Sequence, residues 1–441
     1  MRTYRFINRM LLMVTAFVLS VWADDPVFNQ QGIGARAMAM GRAHVALSSD
    51  FSAVYWNPAG LGFTPVREIQ IGLEGIKLGT NTVFGSEDDD IAKTRMRLSH
   101  AGWVKAIPVE QGGFSFAIGY SSPITFDNAY SFFGNDRLVG NDRIGYYYVI
   151  EDGDTVPDVL RSGGSLYYQE VTNTVHGQLN MINVAAGWQI GPGLAIGFSV
   201  NPMFGRAHER LRMESSRNHN GDGLFQNSME TYQRSFGGID VRMGFLFRPT
   251  ERVSIGARFA LPQYLSMKMD YEFFDSTYYV AEEFSDRVTL KRPFTGAAGA
   301  GFVLPFGTLS LEGTFRAPFF EAPEHSSQAY FRLGAAGGLE VPVPFIPVLV
   351  RGGYHWQEFD RYPYLYGDGV STGAVEPNID SENGEHTASI GFAIMFKDVA
   401  SLECAYSHYR TDITITNKDW RNDVREEHRD HRAVVQFSYR Y

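Results

Sequence analysis

The residue types able to do chemistry are scattered along this chain, and their spacing argues against catalysis. Cys404 is the single cysteine. It has no second thiol for an internal disulfide and no catalytic partner pattern around it, so a small apolar wall residue is expected there. His428 and His431, with Glu427 and Asp430, come nearest to a metal cluster. On a strand, residues three apart point to opposite faces, so these histidines do not converge if a strand starts before them. The acidic run Glu87-Asp88-Asp89-Asp90 has the carboxylate density to hold divalent cations, and its plainer reading is a solvated acidic loop. Gly296, Gly299 and Gly301 are spaced like a dinucleotide loop, but they lie in a strand-like stretch without a βαβ context. No G-x-S-x-G or H-E-x-x-H occurs. Neither an enzyme nor a cofactor or resident metal is expected.

The stretch that departs from the rest of the chain is Gly32 to Phe63. It is small and apolar in its first half and ends on Tyr55-Trp56-Asn57-Pro58-Ala59-Gly60-Leu61. It does not alternate with period two. Ser49 or Asp50 is placed to cap a short helix running from Phe51 towards Trp56. Asn57 precedes a proline and is biased out of the helical region, so the helix should stop there. These residues, with Met40-Gly41-Arg42-Ala43, resemble the N-terminal hatch of the FadL/TodX superfamily of outer-membrane transporters for hydrophobic compounds. The Tyr-Trp-Asn-Pro-Ala-Gly-Leu spelling also resembles the PorV-like branch, which serves protein secretion. The resemblance implies a hatch inside a barrel, with Met40, Gly41, Phe51 and Tyr55 to Leu61 as its working residues.

The elements around that stretch read as barrel strands behind a targeting segment. Arg2, Arg5 and Arg9 precede the apolar run Met10 to Val21, and Val21-Trp22-Ala23 suits cleavage near Ala23. Without those 23 residues, which hold three arginines and no acid, the balance is 36 basic to 49 acidic residues. So acidic a chain is not expected to bind nucleic acid. The expected division is 1–23 signal peptide, 24–66 hatch and 67–441 barrel. Alternation is explicit in Phe114/Phe116/Ile118/Tyr120, in Leu194/Ile196/Phe198/Val200 and in Ile239/Val241/Met243/Phe245/Phe247. It recurs in Val253/Ile255/Ala257/Phe259/Leu261, in Leu309/Leu311/Phe315 and in Ala433/Val435/Phe437/Tyr439/Tyr441. Period two puts the apolar set on one face and the small or polar set on the other.

Six short Pro/Gly-rich turns are expected near 108–112, 191–193, 249–251, 305–307, 342–347 and 397–398. Seven long polar loops are expected at 81–95, 123–167, 207–230, 273–286, 318–327, 360–384 and 414–427. Turns and loops that alternate in length separate 14 strands and fit a 14-stranded antiparallel transmembrane β-barrel. Such a lumen is too wide for side chains alone to fill, and Asp24 to Val66 can occupy it.

Two further regions carry functional expectations. Pro123 follows Gly119-Tyr120-Ser121-Ser122 in the third strand and must end or distort its pairing, since a closed barrel has no edge on which to place a proline. By resemblance to FadL-like proteins, Gly119, Ser121, Ser122 and Pro123 would border a lateral exit, with Asn57 and Pro58 of the hatch lying against it. Tyr130, Phe132, Phe133, Tyr146, Tyr147 and Tyr148 make the 123–167 loop unusually aromatic, as a binding groove, a self-packed loop or a headgroup-level belt would be. The expected activity is passive uptake of fatty acids or other hydrophobic compounds across the bacterial outer membrane, in contact with outer-membrane lipid and lipopolysaccharide. The alternative is a PorV-like component that holds a secretion partner.

Overall fold

The computed structural model describes residues 29–30, 32–64, 67–110, 112–137, 143–151, 154–161, 166–216, 224–275, 280–317, 331–358, 378–380, 384–397, 399–416 and 424–441. The segment expected to be the signal peptide, and the loops expected at 318–327 and over most of 360–384, lie outside these residues.

The chain forms one closed antiparallel barrel of 14 strands. In order they are β1 (Glu68–Phe84), β2 (Glu87–Ile107), β3 (Phe114–Thr125, continued by Asn128–Arg137), β4 (Leu166–Gly191), β5 (Leu194–Ser216) and β6 (Leu224–Thr250). There follow β7 (Val253–Ala260, continued by Gln263–Asp275), β8 (Val280–Arg292, continued by Thr295–Leu304), β9 (Gly307–Arg316) and β10 (Arg332–Pro342). The last are β11 (Val348–Gln357), β12 (Glu385–Phe396), β13 (Ala400–Thr416) and β14 (Val424–Arg440). Each strand pairs with its sequence neighbours, and β1 closes on β14 from Glu68↔Arg440 to Phe84↔Val424. Pro262 and Pro293 fall at the breaks within β7 and β8, where no ladder donor is required.

The alternation sorts as its period requires. On β6, Ile239, Met243, Phe245 and Phe247 are exposed while Asp240, Arg242, Gly244 and Leu246 are buried inside. On β14, Val435, Phe437 and Tyr439 are exposed and Val434, Gln436 and Ser438 buried. The result is an apolar outer belt, the surface that hydrocarbon requires of a barrel.

The long loops are a partial correction. Most of their length is strand: β1 turns into β2 at Gly85-Ser86, β5 runs on to Ser216, and β6 starts at Leu224. Their polarity reflects sheet that continues past the apolar belt with water on its outer face, rather than chain without partners. The acidic run Glu87 to Asp90 therefore opens β2 instead of lying in a loop. Within 143–161 the chain forms its own hairpin, Arg143–Glu151 with Asp154–Arg161. β14 begins before His428, so His428 is buried against Thr80 and Glu426 while His431 meets Tyr406 and His408 on the other face. Among the described residues no group of three or more potential metal ligands converges.

Residues 32–64 lie inside the closed sheet. Its regular elements are a short helix α1 (Ala35–Ala39), a second helix α2 (Ala53–Trp56) and a 3-10 turn over Pro58–Phe63, joined by turns. The second helix starts later than expected. Asp50 Oδ1 accepts from Ser52 N at 2.9 Å and Ser52 Oγ at 2.5 Å, which shapes a turn before the helix instead of capping it. Asn57 is extended, with φ −163°, as its proline neighbour demands. Its Oδ1 then accepts from Ala59 N at 3.2 Å, so the Asn-Pro-Ala-Gly motif stops one helix and caps the next turn.

Candidate functional site

The N-terminal segment is seated in the lumen by glycine. A Cβ placed on Gly197 or Gly244 would come closer than 3 Å to the Asn57–Ala59 turn. The same holds for Gly187 against Pro58, Leu61 and Gly62, for Gly256 against Val45 and Ala46, and for Gly338 and Gly353 against Met40 and Gly41. Gly301, one of the three glycines spaced like a dinucleotide loop, faces Leu47. A segment that touches strands all round a closed sheet can only be inside it. Phe51 packs on Gly102 and Gly119 and stacks on His100, with ring centroids 6.2 Å apart. This corrects the expected contact: the wall at Gly119 meets Phe51, whereas Asn57 and Pro58 face Gly187, Gly197 and Gly244 on β4, β5 and β6. A flat ring covers two adjacent wall glycines, and a kinked turn fits the deeper trough made by three.

Polar groups of the wall hold the same segment. Glu312 Oε2 accepts from His44 N at 2.8 Å and Val45 N at 2.9 Å. Glu340 binds Arg36 at 3.0 Å and Arg351 at 2.6 Å. Arg242 donates to Tyr55 O at 2.6 Å and lies 3.8 Å above the Tyr55 ring. It thereby satisfies a carbonyl at the helix end, where a cation is favoured. Asn57 Nδ2 donates to Val45 O at 2.8 Å and Phe245 O at 3.0 Å. Trp56 Nε1 donates to Ile33 O at 2.7 Å, within the segment. Hydrogen bonds to charged groups typically contribute about 1.5–3 kcal/mol each, so these contacts together position the segment strongly. Gly60 packs on Ser48 and Leu61 joins the buried cluster with Phe51, Val54 and Trp56.

Above the segment, seen from the short-turn rim, the lumen divides. A buried polar layer crosses β4 to β8: Asn183 to Asn201 at 2.9 Å, Asn201 to Asp240 at 2.9 Å and Gln263 to Arg292 at 2.9 Å. Beyond it lies an apolar cluster of Ile124, Phe126, Leu179, Met181, Met203, Phe236, Leu265, Met267 and Leu290. Phe126 stacks on Phe236 with centroids 4.6 Å apart. Farther out, Phe84, Phe132, Val171, Leu211 and Val424 form a second cluster, with Tyr130 packed against it. Phe133 is half-buried. Tyr146, Tyr147 and Tyr148 lie in the hairpin strand, and their side chains are outside the described set.

The wall is interrupted at β3. Ser121 pairs with Met181 and Ile124 with Leu179, so one extra residue bulges at Ser122-Pro123. Hydrogen-bonded pairing of β2 with β3 runs only from His100↔Ser121 to Ile107↔Phe114 among the described residues. Past that level Glu87–Leu98 pairs with β1, and Asn128–Arg137 pairs with β4. The vacated edge of β3 is taken by the N-terminus: Asn29 and Gln30 pair with Thr125 and Ile124, and Gly32 N donates to Pro123 O at 3.1 Å. Two side-chain bridges cross the interruption, Arg95 to Asp127 at 2.9 Å and Arg97 Nη1 to Ser122 Oγ at 3.1 Å. Met96 and Leu98 flank it on the outside, 77% and 36% exposed, which puts its lower edge within the apolar belt.

Several of these residues escaped the sequence reading. Glu312, Glu340 and Arg242 are ordinary alternating polar residues until the segment inside the barrel is placed. The apolar cluster did leave a signal: at Met203-Phe204 and Met181-Ile182 both faces of a strand are apolar, which a water-filled lumen would not require.

No family model matches the chain, and no curated protein matches it in sequence. Solved structures do match it in fold. The toluene transporter TodX of P. putida superposes with a TM-score of 0.62 at 12% identity, over 94% of this chain and 99% of that one. A FadL homologue of Pseudomonas aeruginosa gives 0.60 at 11% identity, over 95% and 99%. The monoaromatic hydrocarbon channel CymD gives 0.56 at 11% identity, over 94% and 99%. With a closed 14-stranded wall and near-complete coverage of each neighbour, the chain shares the fold of the FadL- and TodX-type barrels.

Proposed function

We propose that this chain is an outer-membrane channel for passive uptake of hydrophobic compounds, aromatic hydrocarbons or long-chain fatty acids, with release sideways through the interruption between β2 and β3. One observation carries the reading. The apolar lumen cluster includes Ile124 and Phe126, which sit at the interruption itself. Apolar surface therefore continues from the lumen to a place where the wall has lost its ladder. A greasy solute leaving there passes from apolar wall to lipid, and avoids re-exposing its surface to water at about 25 cal/mol per Å². Straight passage would instead take it through the buried polar layer and the seated N-terminal segment. That segment works as a plug, and its first paired residues, Asn29 and Gln30, stand in the exit, so release requires them to move. That TodX is a toluene transporter and CymD a monoaromatic hydrocarbon channel supports a hydrophobic solute.

The test is a lock. Arg95→Cys and Asp127→Cys, in a Cys404→Ser background, are joined by a short bis-methanethiosulfonate, which forms a disulfide at each end and is cleaved by a reductant. Uptake of a labelled aromatic hydrocarbon or fatty acid by cells should fall when the link forms and return on cleavage. Unchanged uptake with the link in place would refute the lateral route. Co-purification of a secreted protein with a chain that moves no hydrophobic solute would favour the PorV-like role instead.

A further inference from the structure

Just above the apolar belt, β5 carries Arg206, His208, Arg210 and Arg212 at four successive outward positions, while Ala207, Glu209 and Leu211 point inward. Register fixes their neighbours. Arg206 lies in one cross-strand row with Gln178 and Ser235, His208 with His176 and Gln233, and Arg210 with Thr174 and Thr231. None of these is acidic. Arg212 is paired with Glu214, but Arg206 and Arg210 have no ion pair among the described residues. The row through Arg206 continues over Ser235 to Lys268, which pairs with Asp270, and to Arg287, while the row through Arg210 runs over Thr231 to Glu272 and Glu283, so the basic stripe is bounded on that side. The chain as a whole has a net charge of −10, so two guanidiniums without an ion pair on one face of a strand are not a consequence of composition.

The stripe also has shape. The His176 and His208 rings stack 5.2 Å apart in a shallow surface pocket of about 300 Å³, which Thr174, Arg210, Thr231 and Gln233 also line. Glu209 borders the same pocket, but its carboxylate is committed inside the barrel to Asn173 at 2.8 Å and Arg234 at 2.7 Å. Two residues below Arg206 on the same face the surface turns apolar, with Phe204 47% and Phe198 44% exposed. That step is only ~7 Å along a strand.

We propose that this stripe holds the phosphate-bearing headgroup of an outer-leaflet lipopolysaccharide, with its acyl chains against Phe204 and Phe198. The inference rests on the outer-membrane reading above. Guanidiniums suit phosphate because their fork donates two parallel hydrogen bonds. Thr174, Thr231 and Gln233 add neutral donors at the same level. Arg206 and Arg210 stand on the same face of the strand with His208 between them, ~13 Å apart, so an extended headgroup can meet both. Basic residues bordering an apolar belt are where an anionic lipid meets both of its requirements at once.

The experiment uses the purified full-length protein in neutral detergent. Native mass spectrometry and thermal unfolding follow titration with diphosphorylated lipid A, dephosphorylated lipid A and inorganic phosphate. Diphosphorylated lipid A should bind and raise the melting temperature. The R206Q/R210Q variant should bind it about tenfold more weakly or worse, whereas R410Q on the far side of the barrel should bind as the parent does. Equal binding of dephosphorylated lipid A, undiminished binding by R206Q/R210Q, or equal affinity for inorganic phosphate would each overturn the proposal. So would self-association through this face that lipid A does not displace. Fractionation and uptake assays separate the two readings. A chain that reaches the outer membrane and transports solute, yet fails these tests, loses only the lipopolysaccharide site. A chain absent from that membrane loses both.

Discussion

At the residue scale, the wall glycines carry the specificity. Gly197 and Gly353 would each drive a methyl group into backbone atoms, of Pro58–Ala59 and of Met40–Gly41 respectively. Backbone cannot swing aside as a flexible side chain can. Gly237 on β6 has nothing within 4 Å of its would-be Cβ. Gly197→Ala and Gly353→Ala should therefore unseat the N-terminal segment, at a cost of about 1–3 kcal/mol as in overpacked cores. Gly237→Ala should leave it in place. Protease nicking within 32–64 of the folded barrel, or raised single-channel conductance, reads the difference. Equal protection in all three variants would show that the glycines do not seat the segment. That these positions are small was legible, because small residues alternate with apolar ones in one strand after another. Which glycine meets which residue of the N-terminal segment was not legible, since it depends on the path of a segment with no period of its own. The expectation that Asn57 and Pro58 meet Gly119 fails for that reason, and Phe51 occupies the place.

At the element scale, the N-terminal segment is an insert held by its surroundings. Its two helices, Ala35–Ala39 and Ala53–Trp56, are far too short to persist alone. Their stability comes from Glu312, Glu340, Arg242 and the glycine troughs. The barrel, by contrast, closes through β1 and β14 without using the segment. Deleting Gly32 to Leu61 should leave a heat-modifiable barrel that inserts into lipid and conducts ions. In the deleted form Arg242 keeps Asp240 at 2.6 Å and Glu340 keeps Arg351, so those two wall charges are not stranded. Failure of the deleted chain to insert, or unchanged conductance, would show that wall and segment fold as one unit. The strands themselves were legible from period two, and so was the distortion forced by Pro123. Strand length was not. Polar residues of the projecting sheet resemble loop residues in composition, and only the continued pairing of β1 with β2 and of β5 with β6 tells them apart.

At the scale of the whole molecule, an apolar outside and a charged inside reverse the arrangement of a soluble domain, and this makes the orientation testable. On β6 the exposed apolar run Ile239 to Phe247 has Met243 at its centre. Eight steps of strand rise span about 27 Å before tilt and roughly 21 Å along the membrane normal at a tilt of ~40°, most of the ~25 Å apolar band of such barrels. Arginine at that midpoint must place a guanidinium in hydrocarbon, with the lumen closed to it by the pleat. Met243→Arg should cost about 2–4 kcal/mol. Gln233 faces outward on the same strand ten residues farther along, beyond the belt, and Gln233→Arg should cost nearly nothing. The same pair of substitutions distinguishes a membrane barrel from a water-soluble one, in which Met243→Arg would be tolerated or would improve solubility. Urea-dependent folding into lipid vesicles, followed by tryptophan fluorescence and heat-modifiable mobility, gives both values. A Met243→Arg chain as stable in vesicles as the parent would mean that the exposed apolar belt does not face lipid, and the placement of the interruption beside lipid would fall with it.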